Sequence, residues 1–149
     1  MKPWKRNCCL LFLLMLCWLP GEAKQMAVVV NKSNPLISMP AADLAKVFQA
    51  STKKWPDGRN ITVVFSELSS GELQQALQRL FKMTPDEVKT YLAEHKTAFV
   101  AVNSAEALLK MVESTPGAVG LVDVYSITGK VNVLKIDGKL PLEQGYLLH

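Results

Sequence analysis

Cysteine is missing from most of this chain. All three copies, Cys8, Cys9 and Cys17, fall close to the N-terminus. Everything after residue 23 therefore offers no disulfide, no thiolate metal site and no cysteine nucleophile. Histidine is nearly as scarce, with only His95 and His149. His95 falls near the end of a helical pattern, where a cation suits the helix dipole. There is no His-Glu-x-x-His, no Gly-x-Ser-x-Gly and no cluster with metal-ligand spacing. Acidic residues are scattered over polar helix faces. An enzyme is not expected, and neither a cofactor nor a metal is implied. Strong charge is missing too. The formal net charge is +4, and Lys2, Lys5, Arg6 and Glu22 lie in a segment expected to be removed. The remainder carries about +2, too weak an excess to suggest a nucleic-acid partner.

What the N-terminus does contain is an export pattern. Lys2, Lys5 and Arg6 precede an apolar run from Cys8 to Leu19, broken by Pro20 and Gly21. Gly21-Glu22-Ala23 then puts small residues three and one before a cut. The run is short of the ~20 residues a membrane-spanning helix needs. We therefore expect a secretory signal peptide over 1–23, a secreted or periplasmic product, and one domain over 24–149.

Within that domain, continuous β-branched runs alternate with amphipathic patterns. "MAVVVN" (26–31) and "ITVVFS" (61–66) read as strands buried on both faces. Between them, "KSNPLISMP" reads as a loop, Pro40 suits a first helical turn, and Ala41, Leu44, Val47 and Phe48 share a helix face. "STKKWPDGRN" is a turn. Leu73, Ala76, Leu77, Leu80 and Phe81 recur at helical spacing. Thr84-Pro85-Asp86-Glu87 opens another helix with a capping box, running to about His95. "TAFVAV" reads as a strand, and Asn103 with Glu106 as the cap of a further helix. "TPGAVGLVDV" turns into a strand, and "KVNVLKIDGKLP" is a strand ended by Asp137-Gly138. Buried strands alternating with helices predict a single α/β domain, its central sheet mostly parallel and flanked by helices.

One junction has the form of a binding site. "ITVVFSELSSGELQQALQRLF" runs from a strand through Ser69-Ser70-Gly71 into a helix. The first N–H groups of a helix lack internal partners and favour an anion, and small residues let one approach. Ser66, Ser69, Ser70 and Gly71 are the candidate oxyanion ligands. The same residues also fit a plain capping box, in which Ser69 and Glu72 satisfy each other's backbone N–H groups. Glu72 would place its own negative charge where an anion would sit.

Taken in order, "VVVNKSNPL", "MPAADLAKVFQASTKKWPDGRNITVV", "SSGELQQAL", "ESTPGAVGLVDVYSI" and "VNVLKIDGKLP" resemble the phosphate-binding proteins of phosphate ABC transporters. These are type II periplasmic solute-binding proteins. The resemblance covers nearly all of 24–149 and implies one lobe, the second, of a two-lobed fold. It also implies phosphate or another small oxyanion as ligand. The family's strand end reads Arg-x-Asp-x-Ser-Gly-Thr. Here Ser66 stands for the arginine, Leu68 for the aspartate and Glu72 for the threonine, while Ser70 and Gly71 match. The charge-assisted donors that hold phosphate strongly are therefore absent. That departure opens a second reading, a protein-interaction or regulatory module. Its partner, or a second copy of the chain, would cover the face of the missing lobe.

Overall fold

The computed structural model describes residues 25–149, so the expected signal peptide lies outside the described residues. A single six-stranded sheet organises the chain. Its strands are β1 (Met26–Asn31), β2 (Ser38–Met39), β3 (Thr62–Ser66), β4 (Val100–Val102), β5 (Ala118–Asp123) and β6 (Val131–Ile136). Their order across the sheet is β2-β6-β1-β5-β3-β4. β3 runs parallel to β4 and β5, and β2 runs parallel to β6, whereas β1 is antiparallel to both its neighbours. Five strands thus point one way and β1 alone opposes them. The start of β1 consequently lies beside the carboxyl ends of β5 and β3.

Strand alternation sorts the apolar residues into two layers. Met26, Val28, Val30, Val63, Phe65, Val119 and Leu121 face one side. There they meet α1 (Ala41–Phe48), α2 (Gly71–Phe81) and α3 (Pro85–Glu94), together with Tyr146 and Leu148 of the C-terminal tail. Val29, Val64, Ala118 and Val122 face the other side, covered by Leu108, Leu109 and Val112 of α4 (Ala105–Ser114). Both faces being covered explains why β1 and β3 read as continuous apolar runs rather than alternating ones. All five apolar residues of the α2 stripe are buried as expected. Phe81 ends that stripe and packs edge-to-face on Tyr91 of α3, with centroids 5.8 Å apart.

Two segments that carried the resemblance meet directly. The Trp55 indole N–H donates to the Gly117 carbonyl at 3.0 Å, as does the Thr62 amide. A Cβ on Gly117 would collide with the Asn60 carbonyl, so only glycine fits. Asp137 (φ 51°) and Gly138 (φ 79°) turn the chain after β6 as their type predicts.

Several boundaries move. "KSNPLISMP" is not all loop, because Ser38–Met39 pairs with β6. Pro40 is the N-cap of α1 rather than its first residue. "TAFVAV" begins as a 3₁₀ turn over Lys96–Ala98, and only Val100–Val102 is strand. Ser104, not Asn103, caps α4, its Oγ accepting from the Ala107 amide at 3.1 Å. The Thr84–Glu87 capping box is present in both directions, at 3.3 and 2.8 Å. His95 caps α3, with Nδ1 2.8 Å from the Tyr91 carbonyl.

Candidate functional site

β3 ends at Ser66, and the chain must then turn sharply to start α2. Glu67 takes a left-handed conformation, φ 48°, and its carbonyl accepts the Ser70 amide at 2.7 Å. Ser70 is therefore the N-cap. Its backbone is extended, and its Oγ accepts from the Leu73 amide at 3.2 Å. This corrects the expected capping box. The third helical residue is Leu73, which has no side-chain acceptor to return the bond, and neither Ser69 nor Glu72 takes part. The sequence pattern Ser-x-x-Glu is present one residue out of phase with the helix.

That one-residue shift separates the candidate ligands. Ser66 and Ser70 line a small crevice of about 100 Å³ with Met26, Glu67, Glu72, Val122 and Asp123. Gly71 is exposed at the first helical position, and a side chain there would meet nothing within 4 Å. Ser69 points elsewhere. With Leu68 it lines a larger groove between α3 and β4. The structure thus brings Ser66 and Ser70 together, leaves Gly71 beside them, and removes Ser69.

The crevice sits at the carboxyl ends of β3 and β5, where open α/β sheets commonly bind ligands. Its electrostatics oppose an anion. Glu67, Glu72 and Asp123 line it, and no lysine or arginine does. Asp123 Oδ1 accepts the Tyr125 amide at 2.8 Å, capping a 3₁₀ turn at Val124–Ser126. Among the described residues these carboxylates do not converge on a metal position. Glu67 and Asp123 were not among the sequence candidates. The one available signal for Asp123 was a charge ending the apolar run "AVGLV".

The basic residues of the loops beside β1 and β3 lie at the opposite end. Lys32 follows β1, while Lys53, Lys54 and Arg59 precede β3. Since β1 opposes β3, both sets gather at the amino end of β3, a strand's length (~16 Å) from Ser66. Arg59 is also engaged, with Nη1 2.5 Å from Ser33 Oγ and Nε 3.4 Å from Asp57. The C-terminal tail closes the crevice end instead. Leu148 accepts the Met26 amide at 3.2 Å, and the buried Tyr146 hydroxyl donates to the Met26 carbonyl at 2.9 Å. Burial pushes the Tyr146 phenol well above its usual range.

A model of the PBP superfamily domain matches residues 24–147. The chain belongs to that family. Among solved structures, an ABC-type phosphate transport receptor from Vibrio cholerae is similar over 79% of this chain and 48% of its own, at 21% identity and TM-score 0.65. PstS from Borrelia burgdorferi is similar over 79% and 49%, at 16% identity and TM-score 0.64. A putative phosphate ABC transporter substrate-binding protein from Clostridium perfringens, solved with bound phosphate, covers 77% and 46% at 18% identity and TM-score 0.62. The chain spans about half the length of these structures. At such identities they establish the shared fold. A comparison with curated proteins found no match. No helix among the described residues is long and apolar enough to cross a membrane.

Proposed function

We propose that this chain is an exported PBP-superfamily lobe whose oxyanion site is degenerate, so that it holds phosphate weakly or not at all. The observation that carries this reading is the composition of the crevice. Ser70 and the α2 N-terminus lie at the crevice, yet Glu67, Glu72 and Asp123 line it with them, and Ser66 stands where the resemblance implies an arginine. Bringing a dianion among three carboxylates costs Coulomb energy that two hydroxyls and a helix end do not recover. Calorimetric titration with phosphate, sulfate and small carboxylates tests the reading, and N-terminal sequencing of the exported product tests cleavage after Ala23. A chain retained intact in the membrane and starting at Met1 would overturn the export assignment.

The second reading, an interaction module, draws on Tyr125 and Leu142, which are 73% and 62% exposed at the crevice end of the sheet. Both flank Gln25, whose carbonyl accepts the Val124 amide and whose side chain accepts the Leu142 amide. Symmetric self-association centred on the crevice is disfavoured, because it brings two acidic clusters together, Glu67, Glu72 and Asp123 of each copy.

A further inference from the structure

We propose that the groove between α3 and strand β4 receives an extended acidic peptide, which adds a strand to the sheet. Three observations meet there. First, β4 is the last strand of the sheet, and its outer edge has no strand partner among the described residues. The Val102 carbonyl accepts the Glu67 amide and so faces β3. Successive residues of a strand direct their amide and carbonyl to opposite edges, so those of Ala101 face outward. Second, the groove beside that edge has a volume of about 440 Å³ and an apolar floor of Leu68, Leu92, Phe99 and Ala101. Val100 and Val102 turn to the α4 side of the sheet. An added strand would therefore direct every second side chain into the groove, the arrangement by which sheet edges select peptides.

Third, Lys89 and Lys96 line the same groove. Neither is in an ion pair among the described residues, where the pairs are Arg59–Asp57 and Lys130–Glu113. Two free cations beside an apolar channel select a carboxylate-bearing partner and disfavour a basic one. The groove is open along one side, which suits a backbone that pairs with Ala101. An acyl chain has no amide or carbonyl groups to pair with that edge. The peptide is assigned to a partner protein, recognised by apolar residues at alternate positions with Asp or Glu between or beside them. This inference does not depend on the fate of the oxyanion crevice.

The test is selection of a displayed random heptapeptide library against the full chain, with the Lys89→Glu/Lys96→Glu variant and decanoate as comparisons. Both substitutions are on exposed residues, and circular dichroism checks that the variant is folded. The proposal expects enriched peptides with alternating apolar positions and acidic residues. Their affinity should fall at least about tenfold in the variant, and their binding should slow hydrogen exchange at the Ala101 amide. Three results would overturn it: no enrichment, affinity unchanged in the variant, or binding without protection of Ala101. Displacement of the peptides by decanoate, with no protection at Ala101 in either complex, would assign the groove to an acyl carboxylate instead.

Discussion

Ser69 and Ser70 are neighbours in the chain but open onto different concavities, Ser70 onto the acidic crevice and Ser69 onto the apolar groove. The left-handed turn at Glu67 sets this division, because it makes Ser70 rather than Ser69 the last extended residue before α2. Ser70→Ala should lower stability by about 0.5–2 kcal/mol, the usual cost of losing an N-cap. Ser69→Ala should stay within about ±0.5 kcal/mol. Urea denaturation of the two variants distinguishes them, and the opposite ranking would restore the Ser69–Glu72 cap.

The core beneath α2 makes a larger demand. Phe81 is 8% exposed and packs on Tyr91. Phe81→Ala should cost about 3–5 kcal/mol through lost burial and a cavity. A loss below ~1 kcal/mol would mean that the α2–α3 contact is not formed in solution.

Asn31 ties β1 to the end of α4. Its Nδ2 donates to the Val112 and Glu113 carbonyls at 2.8 and 2.9 Å, and its Oδ1 accepts from Ser33. Asn31→Ala strands carbonyls at a helix C-terminus and should cost about 1–3 kcal/mol. Hydrogen exchange should quicken first in the last turn of α4.

Tyr146 gives a pH prediction. Its phenol is raised by burial, so the folded state holds the proton more tightly than the unfolded state does. The resulting stability is fully present below the unfolded pKa, about 10, and is lost as pH rises toward the folded value. Stability should therefore decline above about pH 10. Tyr146→Phe should flatten that decline, while costing about 0.5–1.5 kcal/mol at neutral pH for the bond to the Met26 carbonyl. An unchanged alkaline slope in the variant would move its cause elsewhere.

Sequence showed most of the scaffold. The α2 stripe ending at Phe81, the Thr84–Glu87 box and the buried runs of β1, β3 and β5 are local patterns, and each is found where its period put it. What local pattern could not show was pairing between distant segments. Ser38–Met39 is strand only because β6 lies beside it, about a hundred residues on. The crevice was half legible for the same reason. Ser66, Ser70 and Glu72 share one stretch of chain, whereas Asp123 and Met26 arrive from other strands. Leu68 stands for the family's aspartate in the resemblance, yet it faces the α3 groove. Restoring a carboxylate there would not place it in the crevice.

The central claim is that the crevice is built like an oxyanion site and charged against one. Calorimetric titration of phosphate into the natural chain and into Ser66→Arg/Glu72→Thr tests it most directly. That variant restores a charge-assisted donor and removes a like charge. The account predicts a Kd weaker than about 1 mM for the natural chain, and measurable but weak binding for the variant, since Glu67 and Asp123 still line the crevice. Micromolar binding by the natural chain, unchanged or weakened in the variant, would contradict it.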